Sequence, residues 1–308
     1  ERAMAIFFRK WWKRAKRGMQ TRGGTAEAPD VDGTPWYVEC KFTKGPFNPV
    51  RALEQARDGR YHEEDGKGAW ASFRAWHQKH RPALTIANGD IVDLGMLSRY
   101  EQSSHDPVYA IDQIKVAVKE LNELQQECGR LIYVPGNHGE RWEKAIFGSK
   151  AQALKGAAGM TLREQMYAQG LSPSIKWVTE TASCPGVYVG RKAVLVRHGH
   201  KQAGGWGIKN VASAHLNKFP TVSTVVGHHH RAQMMGRTSL GRTVVAIANP
   251  HLSGDHDYNT SPDWQRGFTI LEFYGRKRLR DCIDFTPQVV IMDEKGRFAY
   301  NGKVYDGG

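Results

Sequence analysis

Four short apolar runs in this sequence each end in a residue that can bind a metal or move a proton. These ends are Asp90 after residues 83–87, Asn137 and His138 after 131–134, His198 after 193–196, and His228 with His230 after 222–226. Such runs are typical of buried strands in α/β proteins, and their carboxyl ends meet at one edge of the sheet. Because open α/β sheets bind ligands at that edge, the sequence predicts an α/β fold with a site there.

The motifs at these ends resemble those of the calcineurin-like metallophosphoesterases. They read Gly89-Asp90-x-x-Asp93, Gly136-Asn137-His138, a single His198, and Gly227-His228-x-His230, in the family's order over residues 68–274. The resemblance implies a four-layer α/β/β/α fold, in which two packed sheets are flanked by helices. It also implies hydrolysis of phosphate esters with divalent metal ions. Mn²⁺ is the first expectation, with Fe, Zn or Mg as alternatives.

The resemblance assigns the metal ligands by position. Asp90 would bridge two ions. One ion would be held by Asn137, His198 and His228, and the other by His230. Carboxylate, amide oxygen and imidazole are ligand types that suit Mn, Fe or Zn.

The same resemblance assigns roles to two residues near the ions. His138 would not bind metal but would protonate the leaving oxygen or steady the phosphate, and Asp93 would orient a neighbour. Arg99 lies in the loop after Asp93, and from that position we expect it to contact the phosphate. The family usually has an acidic residue directly after this histidine, whereas this chain has Gly139 and then Glu140.

One family motif is missing. The family begins with an Asp-x-His on its first strand, and no such triplet lies between residues 1 and 90. Asp58, followed by His62, has the right distance to Asp90, although residues 52–57 look helical. Glu39 lies in a better strand pattern but would supply only one carboxylate. The second metal position is therefore expected to be incomplete.

The amino-terminal part resembles a different family. Pro29-Asp30 and the later Glu39-Cys40-Lys41 are similar to the PD-(D/E)XK nucleases, in which two carboxylates hold Mg²⁺ and a lysine assists. After about residue 60 nothing supplies the rest of such a core. We therefore expect residues 1–65 to form a small basic α/β segment, residues 66–275 the phosphoesterase domain, and residues 276–308 a basic extension with a short hairpin and a loose end.

The charge of the chain indicates a polyanionic partner. The formal net charge is +13, with basic clusters at residues 9–17 and 276–280. Such charge favours nucleic acid, and hence phosphodiester substrates. The alternative is a catalytically impaired protein that binds nucleic acid and lacks the first ligand motif. Residues 263–268 resemble phosphoesterases of phages and prophages.

Cysteine usage and hydropathy predict the compartment. Four scattered cysteines favour a reducing environment, and no apolar run reaches the 18 residues of a membrane span. We expect a cytoplasmic location, in a host cell if the protein is encoded by a phage, and the sequence indicates no oligomeric state.

The remaining histidines receive weaker assignments. His77 is expected at the surface or a helix end, and His229 is expected to point away from the site along an extended backbone. His200 and His215 are either accessory groups of the site or solvated loop residues.

Overall fold

The computed structural model describes residues 16–17, 31–32, 64–98, 109–148, 159–201, 209–239, 241–253 and 263–307. The chain divides into two units, Glu1–Tyr61 and His62–Gly308. In the first unit, β1 (Lys16–Arg17) pairs antiparallel with β2 (Val31–Asp32). Several predicted residues lie outside the described ranges, so their roles stay predictions: Asp30, Glu39, Lys41, Asp58 and Arg99.

In its described part, the second unit contains five α-helices, which precede or lie between its first strands, and a run of strands after the last of them. Its helices are α1 (Glu64–His80), α2 (Ala110–Glu127), α3 (Gly139–Ile146), α4 (Leu162–Ala168) and α5 (Val211–Lys218). Its first six strands are β3 (Thr85–Gly89), β4 (Leu131–Pro135), β5 (Lys176–Trp177), β6 (Val187–Val189), β7 (Val194–Arg197) and β8 (Ser223–Val226). The others are β9 (Gln233–Ser239), β10 (Arg242–Ala248), β11 (Gly267–Tyr274), β12 (Asp284–Ile291), β13 (Phe298–Tyr300) and β14 (Lys303–Tyr305).

Two sheets carry the predicted strand ends. In the first, β3, β4 and β5 are parallel, and Gly89 lies opposite Pro135. In the second, the order is β6-β7-β8-β10-β9, with β7, β8 and β10 parallel. The neighbouring ends of β7 and β8 meet at Arg197 and Val226. Each sheet therefore brings two of the four polar ends side by side.

Strand β4 shows how the layers form. Leu131 and Tyr133 belong to a core with the apolar faces of α1 and α2. Ile132 and Val134 belong to a second core with residues of β6, β7, β8 and β10. Because successive side chains of a strand point to opposite faces, one strand serves both cores. The first sheet is thus covered by helices on one face and by the second sheet on the other.

Helix α5 covers the outer face of the second sheet. Its Ala212 and Leu216 pack against Val244 and Ala246 of β10. The order of layers is helices, sheet, sheet, helix. This confirms the predicted α/β/β/α fold.

The carboxyl-terminal residues include the expected short hairpin, β13–β14, but they are packed into the fold rather than forming a loose end. Strand β12 pairs with β11 over eight residues, from Gly267 opposite Ile291 to Tyr274 opposite Asp284. The β13–β14 hairpin contributes three buried aromatic rings to the core beside α1, Phe298, Tyr300 and Tyr305. The sequence did not predict this pairing because the basic residues 276–280 were assigned to an extension, whereas they lie in the exposed turn between β11 and β12.

No helix among the described residues is long and apolar enough to cross a membrane.

Candidate metal centre

Three side chains from three strand ends converge on one point. Asp90 follows β3, His198 follows β7, and His228 follows β8. Each offers one ligand atom, and these atoms all lie within 4.8 Å of one another. The two sheets are tied together beside them, because the Asn88 side-chain amide donates to the backbone carbonyl of Arg197 (2.8 Å).

Asn137, at the end of β4, adds a fourth donor. Its Oδ1 lies 3.0 Å from His198 Nε2, and Asp90 Oδ2 lies 3.3 Å from the same nitrogen. Ligand atoms that share an ion at about 2.0–2.2 Å are about 3–4.4 Å apart. The spacing and the mixed carboxylate, amide and imidazole donors therefore fit a divalent cation. We call Asp90, Asn137, His198 and His228 the strand-end cluster.

The glycines of the motifs make room for this cluster. A Cβ on Gly89 would collide with the His198 ring, and one on Gly136 would collide with the Asp90 carboxylate. Gly89 also has φ +125°, a conformation that side chains disfavour. The glycines before Asp90 and Asn137 are thus required by the close approach of side chains within the cluster.

The carboxylate at the centre is held in its ionised form. Burial by itself would raise the pKa of Asp90, but His198 and His138 outweigh it and hold the pKa well below its usual range. The His138 backbone N–H also donates to Asp90 Oδ1 (2.9 Å). An ionised carboxylate is the form that binds a cation.

His138 lies beside the cluster at the start of α3. Its Nδ1 is 2.7 Å from Asp93 Oδ1, and its Nε2 is 3.8 Å from Asp90 Oδ2. Asp93 in turn accepts from the Arg141 guanidinium (3.1 Å). Asp93 therefore fixes the His138 ring, with Nε2 towards the cluster.

The backbone around His228 is not extended, unlike the sequence expectation. His228 has φ 67° and His230 has φ 57°, so both are left-handed, and His229 is buried. Burial, with the charges of His198 and His229, lowers the pKa of His228 to about 3. His228 is therefore neutral at ordinary pH, as a metal ligand must be.

His230 makes other contacts in the structure. Its ring stacks on His251 with centroids 4.8 Å apart and meets the edge of Trp264 at 4.8 Å. Among the described residues, the compact group of ligand atoms comprises Asp90, His198 and His228 and does not include His230.

Glu180, which no motif marks, supports the cluster from behind. It is 2% exposed and accepts hydrogen bonds from the backbone N–H groups of His198 and Gly199. The Arg197 guanidinium donates to its other oxygen (3.1 Å). Glu180 therefore fixes the backbone of a ligand, and its sequence signal was limited to an acid at the end of a short strand pattern.

Glu140 and His200 form a second group that sequence reasoning underrated. His200 Nε2 is 3.0 Å from Glu140 Oε1, and the same carboxylate pairs with Lys201 (2.7 Å) and Lys144 (3.3 Å). The side chain of His200 is 9% exposed, so it is not a solvated loop residue. His215, the other accessory candidate, is buried on α5.

Two further histidines lie in the last turn of α1. His77 is therefore at a helix end, as expected, but it is not at the surface: it is 1% exposed and bonds to Glu127 and Thr85 on its two ring nitrogens. His80, in the same turn, contacts the hydroxyl of Tyr305 (2.8 Å).

Comparison with known proteins gives limited information. No family model matches the sequence, and no curated protein matches it. Among solved structures, a single mutant of Vps29 from Entamoeba histolytica is 16% identical over 72% of this chain and 94% of that one, with a TM-score of 0.27. An overall similarity this low does not establish a shared function.

Proposed function

We propose that this protein is a metal-dependent phosphoesterase of the calcineurin-like type that acts on phosphodiesters. The observation that supports this most is the strand-end cluster with His138 beside it. Four donors of three chemical kinds approach within ligand distance, and a fifth polar side chain lies next to them without belonging to the compact group.

A divalent ion bound there would activate water and neutralise charge on the phosphoryl oxygens. The protein's own residues prepare the rest. Asp90, His198 and His228 hold the position of the ion, and Glu180 keeps the His198 backbone in place. Asp93 accepts from His138 Nδ1, so the opposite nitrogen is aimed at the cluster and can give a proton to a leaving oxygen.

Charge supports phosphodiesters of nucleic acid as the substrate class. The formal net charge of the chain is +13, and Arg276, Lys277 and Arg278 are exposed. Phosphates of a polyanion are attracted to such a surface at low ionic strength.

The test is hydrolysis of an aryl phosphodiester and an aryl phosphomonoester, with Mn²⁺ and with chelator. We expect Mn²⁺-dependent turnover that favours the diester. Asp90→Asn should reduce both activity and Mn²⁺ affinity by more than about 100-fold, the upper end for residues that merely support ligands. Asp112→Asn, a change on α2 where the aspartate pairs with Lys115, is the matched control and should leave both intact.

Two results would contradict the proposal. One is turnover that persists in chelator. The other is a protein that binds Mn²⁺ through Asp90 but hydrolyses neither ester, which would favour the alternative of a nucleic-acid-binding protein.

A further inference from the structure

The buried histidines of this protein fall into two kinds, and the difference points to a further ligand. His77 has a partner on each ring nitrogen, Glu127 on Nδ1 (3.1 Å) and Thr85 on Nε2 (2.7 Å). His200 has Glu140 on Nε2 (3.0 Å), whereas its Nδ1 is buried and has no hydrogen-bond partner in the described part of the chain. A buried polar atom without a partner needs an explanation, such as an ion.

Glu140 determines which nitrogen of His200 carries the proton. Glu140 also pairs through Oε1 with Lys201 Nζ (2.7 Å) and through Oε2 with Lys144 Nζ (3.3 Å), as an ionised carboxylate does. An ionised carboxylate can only accept hydrogen bonds, so His200 Nε2 must donate. The neutral imidazole then has its lone pair on Nδ1. Carboxylate, histidine and metal in this order are a common arrangement in metalloproteins.

The location of His200 is also that of a ligand. Its ring centre is 5.2 Å from that of His198 and 6.2 Å from that of His228. Imidazoles that bind one ion or two neighbouring ions have ring centres about 5–7 Å apart, given metal–nitrogen distances of about 2 Å and ion spacings of about 3.5–4 Å. His200 lies outside the compact three-residue group. It is therefore placed to serve a neighbouring ion rather than the first one.

We propose that His200, oriented by Glu140, binds a second divalent cation next to the strand-end cluster through Nδ1. This inference rests on the proposed function, because it assumes that the cluster holds the first cation. The second ion would have few protein ligands, since the Asp-x-His motif is missing, so water and substrate oxygens would complete its coordination. It should therefore bind more weakly than the first.

The competing ligand for a second ion is His230, which the sequence motif favours. In the structure the His230 ring lies against His251 and Trp264. His200 and His230 belong to different loops, after β7 and after β8. Separate substitutions can therefore tell which histidine serves the second ion.

The experiment measures Mn²⁺ binding to the full chain by calorimetry and by metal analysis after equilibrium dialysis. Wild type should show one tight and one weaker ion. His200→Ala should weaken the second ion by at least about 10-fold, and Glu140→Gln by a smaller factor because the amide oxygen still accepts from Nε2. The first ion should change by less than about twofold in both variants. His230→Ala, and His80→Ala as a control on α1, should retain both ions.

A single bound ion in wild type, or loss of the second ion in His230→Ala alone, would overturn the proposal. If His200→Ala melts at a lower temperature without metal, His200→Gln replaces it, since it retains bulk but not the imidazole. Asp90→Asn separates the two proposals. If Asp90→Asn loses the tightly bound ion while His200→Ala binds Mn²⁺ like wild type, the proposed phosphoesterase site is supported and the second cation position is rejected.

Discussion

Two polar groups lie at opposite ends of strand β3 and differ in how completely their atoms are paired. The group between α1 and α2, which we call the helix-side network, consists of Arg74, Gln78, His77, Thr85, Glu120, Glu123 and Glu127. Arg74 pairs with all three glutamates, and both nitrogens of His77 have partners. In contrast, His200 Nδ1 beside the strand-end cluster is buried without a partner among the described residues.

We infer from this difference that the first group holds the fold and that the second is arranged to bind a ligand. A fully paired polar network stabilises the packing of two helices, but it leaves no donor or acceptor atom available to bind a ligand. Unpaired buried nitrogens cost stability unless a ligand completes them. Substitutions in the two groups should therefore have different consequences, which can be measured.

The largest effect is expected at His138. His138→Ala should lower turnover by about 10²–10⁴-fold, the usual contribution of a general acid. Bound Mn²⁺ should be nearly unchanged, because His138 lies beside the ligands rather than among them. Steady-state kinetics and metal analysis on the same preparation measure both quantities. Loss of metal together with activity would show that His138 is a ligand.

A pair of glutamates tests the comparison itself. Glu127→Gln breaks the helix-side network and should cost about 3 kcal/mol in the free energy of unfolding, the lower end for a broken buried pair. Metal affinity should not change, since Glu127 lies on the helix-covered face. Urea denaturation and Mn²⁺ titration provide the two measurements.

Glu180→Gln is the matched variant on the other side. Glu180 is as fully paired as Glu127, but its partners include the backbone N–H of His198. It should therefore lower stability and also weaken Mn²⁺ binding by about 10–100-fold, as for residues that orient ligands. Equal Mn²⁺ affinity in Glu127→Gln and Glu180→Gln would show that Glu180 does not support metal binding, and the two groups would then not differ in function.

The sequence predicted the layers and much of the centre for a physical reason. Buried strands need continuous apolar residues, and a glycine before the polar end is required where ligands approach closely, as at Gly89 and Gly136. Both signals are local in the chain. They marked Asp90, Asn137, His198 and His228 without any knowledge of the fold.

Other features depend on contacts between distant parts of the chain and left no local signal. Glu180 meets His198 across 18 positions, and His200 meets Glu140 across 60. The sequence placed His77 at the surface or a helix end, and nothing local showed that Glu127, 50 positions away, packs against it. The left-handed backbone at His228 and His230 was missed because such conformations are uncommon outside glycine.

His215 tests whether every buried, unpaired nitrogen near the site marks a ligand. Its Nδ1 has no partner among the described residues, yet burial and the charges of Arg197, His229 and Lys218 lower the pKa of His215 to about 4. The same positive surroundings disfavour a cation, so we expect His215→Gln to bind Mn²⁺ like wild type.

The expected consequence of this histidine is instead a pH dependence of stability. Above about pH 6.5 His215 is neutral in both states, and below about pH 4 it is charged in both. Between these values only the unfolded chain binds the proton, so the free energy of unfolding decreases as the pH is lowered. At pH 5 this amounts to about 2 kcal/mol relative to pH 7. Urea denaturation in the presence of chelator should show that, between pH 7 and pH 5, the free energy of unfolding of His215→Gln decreases by about 2 kcal/mol less than that of wild type. An unchanged pH dependence, or weaker Mn²⁺ binding in the variant, would mean that His215 belongs with the ligands after all.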